Sequence, residues 1–397
     1  MTRRLYYDDS YACEFQASVV RVEPRDGRLA VWLDRSAFYP TTGGQPFDTG
    51  NLGSARVLDV FEDGGGDVIH LVDGAPDLRE GGDVRGLVDW PRRFDHMQQH
   101  TGQHVLSAAC VAMHAAKTVS FHLGADLSTI DLDRALTPAD IARVESEANR
   151  VVWEDRPVTV RYASAEDAAA MRLRKASERE GTLRLIDVEH FDLSACGGTH
   201  VRRTGAIGVV VVSGWERFKG GQRIAFACGG RAASRFRLLR DAVDAGGRLL
   251  SALPDALAGS IERLQEDARD QKRTIGALRS ELARYRAAEL AAGGEPHAFG
   301  RLVLQSVDGD AAELKALALA LAAQPGVLAV LLSRSSPSLV VAARSADLAV
   351  SCDELVETLI RTFGGRGGGK PNLAQGGGLI GPPDHLSQAV RRLLSIP

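Results

Sequence analysis

A chain of 397 residues, 44% hydrophobic and 25% charged, has the balance of globular domains and room for two or three of them. Its net charge of −3 excludes a globally basic nucleic-acid binder, so phosphate contacts must come from local patches, and no apolar run approaches the roughly 18 residues of a membrane span. Five cysteines, at 13, 110, 196, 228 and 352, are odd in number and scattered. That argues against a disulfide framework and for a reducing cytosol. The opening "MTRRLYYDDSYACEF" has no apolar core behind its basic residues, so a cytoplasmic protein without a signal peptide is expected.

Residues 1–90 read as β. "ASVVRVEPRDGRLAVWLD" alternates apolar positions around the turn "RDGR", and "ARVLDVFEDGGGDVIHLVD" repeats the scheme around "EDGGGD". Short strands with glycine-rich turns predict a small barrel. Between them "FYPTTGGQPFDTG", 38–50, holds too many turn formers for a strand. Residues 91–230 mix helices and strands. "HMQQHTGQHVLSAACVAMH" reads as a helix, and "TPADIARVESEANRVVWED" as another, with an N-cap signal in Thr137 and Asp140. "PVTVRYAS" is a strand, "AEDAAAMRLRKA" a helix, and "TLRLIDVEHFDLSA" and "AIGVVVVSGWERF" are strands.

Residues 231–295 change character. Leu257, Ile261, Leu264, Ala268, Gln271, Ile275, Leu278, Leu282 and Tyr285 fall at alternating spacings of four and three, a heptad seam broken by Gln271. A coiled-coil linker, hairpin-like or dimerising, is expected there. Residues 296–397 form a further unit with strands "RLVLQSV", "VLAVLLSRS" and "SLVVAARS" and helices "AAELKALALALAAQ" and "SCDELVETLIRTF". "GGRGGGKPNLAQGGG", 364–378, is read as a glycine-rich loop inside a small α/β domain. The whole is a multidomain α+β chain.

The chemistry concentrates in two stretches. In "HTGQH", His100 and His104 share one helix face, with Cβ atoms about 5–6 Å apart. His96 is also four residues from His100, so spacing alone does not choose the pair. In "CGGTH", Cys196 and His200 are also four apart, and two glycines make a helix improbable, so a loop must bring them together. Two pairs supply four N/S donors, zinc's preferred number. Four protein ligands usually mark a closed, structural site, whereas catalysis leaves a position for water. A zinc peptidase needs a glutamate beside the first histidine, and here Thr101 follows His100 and Met97 follows His96. A local basic cluster, "MRLRK" at 171–175 with Arg179 and Arg184 beyond it, reads first as a solvated face.

"FYPTTGGQPFDTG", "HMQQHTGQHVLSAA", "RLIDVEHFDLSACGGTHVRRTGAIG" and "ERFKGGQRIAFACGG", in that order, resemble the editing domain of alanyl-tRNA synthetase and, most of all, the free-standing alanyl-tRNA editing (AlaX) proteins. "GGRGGGKPNLAQGGG" is similar to the glycine-rich motif of the DHHA1-like domain that ends those synthetases. The barrel-like segment begins within the first 20 residues, so no aminoacylation domain is expected before it. The resemblance implies a long-form editing hydrolase that deacylates tRNA(Ala) mischarged with serine, or glycine. A pocket built for alanine rejects an isostere with one more hydroxyl poorly, so a second hydrolytic site is needed.

The resemblance also implies one zinc ion on His100, His104, Cys196 and His200, with Gln45 near the bound amino acid and counted with those four as catalytic. It places Thr41, Thr42, Gly43 and Gly44 around the substrate, a threonine hydroxyl being suited to bond a serine side chain. Lys219, Arg223, Arg202, Arg203 and the 171–175 cluster surround the pocket in sequence and suit the phosphates of the CCA end. Arg366 and Lys370 suit the tRNA elbow, unless the C-terminal domain or the coiled coil serves a homodimer. No membrane partner is expected. The residues alone leave open a zinc-stabilised tRNA-binding protein without activity, or editing of another tRNA such as one for threonine. A DHH-type phosphodiesterase is not supported, because Asp95–His96 and Asp384–His385 are followed by Met97 and Leu386.

Overall fold

The computed structural model describes residues 1–74, 77–171, 173–175 and 181–395. The chain divides into two units, Met1–Ala245 and Gly246–Pro397. No helix among the described residues is long and apolar enough to cross a membrane.

The first unit opens with strands β1 (Glu14–Arg25), β2 (Arg28–Leu33), β3 (Gly50–Leu52), β4 (Ala55–Glu62), β5 (Val68–Asp73) and β6 (Asp83–Val88). They close into a barrel in the order β1-β2-β5-β4-β3-β6, every pairing antiparallel. The period of two in "EFQASVV" puts Phe15, Ala17 and Val19 inside with Val31, Leu33 and Val57. The "RDGR" turn is as expected: Asp26 and Gly27 take positive φ, and Arg25 pairs Arg28. Residues 38–49 leave the barrel as an irregular loop.

Helix α1 (Trp90–His114) follows, with Pro91 in its first turn. Every residue from His96 to Cys110 is buried, so it is a core helix, not a surface one. Its apolar side, Met97, Val105, Leu106 and Ala109, meets strands β8 (Ser128–Leu132), β10 (Thr182–Val188) and β13 (Gly221–Cys228) in one core. These strands belong to two antiparallel sheets. One has the order β12-β13-β8-β7, with β7 at Thr118–Leu123 and β12 at Val210–Phe218. The other has the order β9-β10-β11, with β9 at Val158–Ser164 and β11 at Asp192–Ala195. Helix α2 (Pro138–Trp153) starts in the capping box foreseen from Thr137 and Asp140. The helix expected over "AEDAAAMRLRKA" is shorter, ending at Ala170, and Met171 is extended. Tertiary pairing overrides propensity there, because Arg174 N–H donates to Leu193 O (2.9 Å) and ties the segment to β11.

One buried ion pair fastens the irregular loop to α1. Arg93 is fully buried. Its Nε donates to both oxygens of Asp48 (3.0 and 3.1 Å) and its Nη1 to Ser10 O (2.8 Å). Asp48 in turn accepts from Tyr39 N–H (2.7 Å).

The second unit contains α5 (Leu257–Ala292), the long helix that follows α4 (Gly229–Leu250), and a mixed six-stranded sheet. The short helix at Ala165–Ala170 is α3. The sheet order is β14-β15-β16-β17-β19-β18. The strands are β14 (Glu295–His297), β15 (Gly300–Val307), β16 (Val327–Ser333), β17 (Ser338–Arg344), β18 (Arg366–Lys370) and β19 (Leu373–Leu379). Helices α5 and α6 (Ala311–Ala322) cover one face. Helices α7 (Cys352–Phe363) and α8 (Pro383–Leu394) cover the other. Covering on both faces explains the unbroken apolar run "VLAVLLS" of β16.

One expectation is corrected here. "GGRGGGKPNLAQGGG" is not a loop but the hairpin β18–β19. Its glycines are there for close approach. A Cβ on Gly369 would lie 2.4 Å from Ala374 Cα, and one on Gly376 would press on Val356 and Ile360 of α7 at 3.2 and 3.1 Å. The heptad seam of α5 is not closed within the chain: Leu264 is 56% and Leu278 59% exposed. A different stripe of that helix, Ala283, Ala287 and Ala291, is buried against α6. Small side chains let the two helices approach.

Removing the partner of Asp48 leaves a buried charge uncompensated. Arg93→Met is expected to lower unfolding free energy by about 3–5 kcal/mol, read from the urea-unfolding midpoint of the first unit's signal. A change under about 1 kcal/mol would show that this pair does not hold the loop.

Candidate metal centre and cleft

His100 and His104 project from α1, and Cys196 and His200 from the loop after β11. Their donor atoms lie within 4.8 Å of one another. Cys196 Sγ is 3.4 Å from His100 Nε2 and 3.4 Å from His200 Nε2. Tetrahedral bonds of about 2.0–2.3 Å separate neighbouring N and S donors by roughly 3.5 Å, so these spacings suit one small cation. The second glycine of "CGGTH" makes the approach possible, since a Cβ on Gly198 would sit 2.1 Å from His100 Cε1.

Each imidazole turns Nε2 inward and anchors Nδ1 outward. His100 Nδ1–H donates to Gln45 Oε1 (2.8 Å). His104 Nδ1–H donates to Asp192 Oδ2 (3.1 Å) and His200 Nδ1–H to Thr101 Oγ1 (3.2 Å). Such outer partners fix tautomer and ring direction in metal sites. Asp192 is itself held by Arg174 Nε (2.7 Å) and Ser194 Oγ (3.0 Å). Burial raises its carboxyl pKa, but the hydrogen bond from His104 and the Arg174 charge bring it down to about 2, so it stays ionised. Burial also works against the Cys196 thiolate, yet His100 and His200 hold the thiol well below its ordinary value. Burial, then the neighbouring His100, pushes His200 down to about 3. Burial lowers His104, but Asp192 and Cys196 outweigh it and the net shift is upward.

A cleft of about 500 Å³ opens beside the cluster, with His104 and Cys196 in its wall. Gly43, Phe121, Arg174, Lys175 and Gly197 also line it. The residues foreseen from sequence divide around this geometry. The four donors meet, and His96 does not join them. It is buried 97%, and burial, then Arg92, drives its pKa to about 3.

Gln45, expected beside the substrate, is fully buried behind His100. Its amide is committed to His100 and Thr199, donating to Thr199 Oγ1 (2.8 Å) and accepting from Thr199 N–H (3.1 Å). Gly43 reaches the cleft. Gly44 packs on Phe121, where a Cβ would lie 2.9 Å from the ring. Thr41 and Thr42 are not on the cleft wall: Thr41 Oγ1 accepts from Phe47 N–H (3.2 Å), and Thr42 closes a backbone bridge with Gln45. The hydroxyls that do line it are Thr118, Ser120 and Ser194.

Among the basic residues, Arg202 pairs with Asp9, Arg203 with Asp155 and Arg223 with Asp131. None of them lines the cleft, nor does Lys219, which stands exposed at the β12–β13 turn. The 171–175 cluster does reach it, through Arg174 and Lys175; Arg172 and Arg179 lie outside the described residues. Arg184, read with that cluster as a solvated face, is buried instead. Its Nη1 donates to Cys196 O (2.7 Å) and Gly198 O (3.0 Å), holding the metal loop. Arg366 and Lys370 are exposed on β18.

Asp192, Thr101 and Phe121 were missed by sequence reasoning. Asp192 had a faint signal: "DLSA" alternates, which puts Asp192 and Ser194 together on the buried face of β11.

Comparison with known proteins identifies the family. The threonyl and alanyl tRNA synthetase second additional domain matches residues 183–225, and the DHHA1 domain matches residues 300–395. The alanyl-tRNA editing protein AlaX-L of Pyrococcus horikoshii is 30% identical over 100% of this chain and 99% of its own. This chain belongs to the AlaX-L family of alanyl-tRNA editing proteins. The alanine–tRNA ligases of Pyrococcus abyssi and Methanoculleus marisnigri are 32% and 35% identical over 94% and 95% of this chain. The chain spans only 42% and 41% of those ligases. The 183–225 match runs from β10 to β13 and carries Cys196 and His200.

If Asp192 orients His104 toward a shared cation, Asp192→Asn should weaken zinc binding about ten- to a hundredfold. Competition with a chromophoric chelator measures this, and unchanged affinity would disconnect Asp192 from the cluster.

Proposed function

We propose that the protein deacylates mischarged tRNA(Ala), Ser-tRNA(Ala) first and Gly-tRNA(Ala) second, at a zinc centre formed by His100, His104, Cys196 and His200. The observation that carries this is the position of the donor cluster. Two of its four donors, His104 and Cys196, line a substrate-sized cleft, so the cluster is reached from outside rather than sealed on every side as a purely structural site would be. Three anchored imidazoles and a thiolate-prone cysteine are a donor set suited to zinc. Zinc held there would supply Lewis acidity, and a water would reach it only by taking the place of one of the four protein donors.

The chain's own residues do the rest. Lys175 places positive charge at the cleft, which favours the phosphates of the CCA end, while Arg174 is committed to Asp192 and acts by holding it. Phe121 gives it an apolar surface. Gly43 and Gly197 bring bare backbone to the walls, where N–H groups suit a developing oxyanion. The ester is already activated relative to an amide, and no glutamate or other strong base is required. Gln45 acts through His100 as a positioning residue. Arg202, Arg203 and Arg223 are committed to carboxylates and contribute to the tRNA surface only secondarily, with Lys219. Arg366 and Lys370 on β18 are suited to the tRNA elbow.

Zinc-loaded protein is expected to hydrolyse Ser-tRNA(Ala) roughly tenfold or more faster than Ala-tRNA(Ala), with chelator removing the activity. Failure of the zinc-loaded protein to release serine would overturn the proposal. Cys196→Ala, assayed with zinc content monitored, should lose activity; full turnover with bound zinc would take Cys196 out of the catalytic set.

The exposed seam of α5 supports a second element of this proposal, self-association through that helix. Leu264, Ile275, Leu278 and Leu282 present a heptad-spaced apolar stripe to solvent. Leu264→Asp with Leu278→Asp should convert a dimer to a monomer in sedimentation velocity. A wild-type protein that sediments as a monomer at micromolar concentration would remove the coiled coil.

A further inference from the structure

One polar group at the cleft is left without a partner. Gln103 lies on α1 directly before His104, is 2% exposed and lines the cleft. Its Nε2 donates to Ser107 Oγ (2.8 Å), and its Oε1 has no donor among the described residues. Ser107 is fully buried and also accepts from Thr118 Oγ1 (2.7 Å), a second cleft residue. Turning the amide over would let Oε1 accept from Ser107 but would orphan Nε2 instead. Ser107 meets only one of the two atoms, so among the described residues either orientation leaves one polar atom of Gln103 unpaired. A buried unpaired group is a standing penalty that a suitable ligand removes.

We infer that Gln103 is the specificity-determining residue that binds the side-chain hydroxyl of the misattached amino acid. The inference rests on the deacylase reading above and deepens it. A hydroxyl both donates and accepts, so it satisfies the amide in either orientation. An α-ammonium only donates, so it satisfies the amide in one orientation alone, and the described lining residues include Lys175 and the Asp192-paired Arg174 but no carboxylate. A cation is therefore disfavoured against this wall and a neutral hydroxyl is not. The alanine methyl satisfies neither amide atom and leaves the penalty in place. The same contact thus favours the wrong amino acid over the right one, the selectivity an editing site needs.

The test uses full-length zinc-loaded protein and two stable amide analogues, 3′-seryl and 3′-alanyl amino-deoxyadenosine, titrated calorimetrically. They differ by one hydroxyl. Wild type is expected to bind the seryl analogue on the order of tenfold to a hundredfold more tightly. Gln103→Met, which keeps the length but removes both polar atoms, should erase the preference with zinc content unchanged. Gln103→Glu, which keeps an acceptor, should restore part of it. A seryl preference that persists in zinc-replete Gln103→Met, or a wild type with no preference, overturns the inference. Equal loss for both analogues also overturns it, because a group common to both amino acids would then be the one bound. The deacylase reading is judged separately: zinc-loaded wild type that prefers the seryl analogue but leaves Ser-tRNA(Ala) intact defeats hydrolysis and not the role of Gln103.

Discussion

Three imidazoles and a thiol buried at one point repel one another's protons and lose their water. That constraint organises the first unit. Left alone, the cluster must distribute charge unevenly, and it does: the Cys196 thiol is driven toward thiolate, while His200 is driven strongly toward its neutral form. A shared divalent cation would resolve the conflict, because neutral nitrogen and anionic sulfur are what it requires. The groups around the cluster hold the donors in place. Gln45, Asp192 and Thr101 fix the three Nδ1 atoms, and Arg184 clamps the carbonyls of the metal loop.

The price of such a centre is a polar helix in a hydrophobic place. Helix α1 carries histidine, glutamine and threonine through its buried middle, and each polar atom needs a partner. Gln99 finds one in the backbone of Cys228 and Gln98 in Ala206 O. Arg93 finds Asp48 and thereby locks the loop that presents Gln45 and Gly43. Packing, ion pairing and the site are therefore one problem on this helix. Gln103 is the member whose satisfaction is incomplete at the cleft, and that incompleteness gives its position a chemical meaning.

The second unit follows a different logic. Its sheet is covered on both faces, its glycine-rich hairpin allows strands and α7 to approach closely, and its long helix buries alanines and exposes leucines. The same helix thus offers one narrow stripe to its own sheet and a broader one to solvent, which is why a heptad pattern was visible without an intrachain partner.

Much was legible from residue order alone. The four donors stand in two local pairs whose spacings suit a metal, but spacing left His96 as an alternative, and it was the family resemblance that joined His100 and His104 to Cys196 and His200. The barrel, the "RDGR" turn and the Thr137 cap were equally local, because alternation, turn chemistry and capping act over a few residues. What the sequence could not determine was anything set by contact between distant segments. Gln45 looked like a substrate residue until the fold put it behind His100, and Arg202, Arg203 and Arg223 looked free until Asp9, Asp155 and Asp131 came to meet them. The glycines at 364–378 read as a loop because glycine signals freedom to the chain, while in the fold it served close packing. Residue order determined which groups carry the chemistry; only tertiary structure decided which of them face the cleft, because orientation comes from partners up to 193 residues away along the chain.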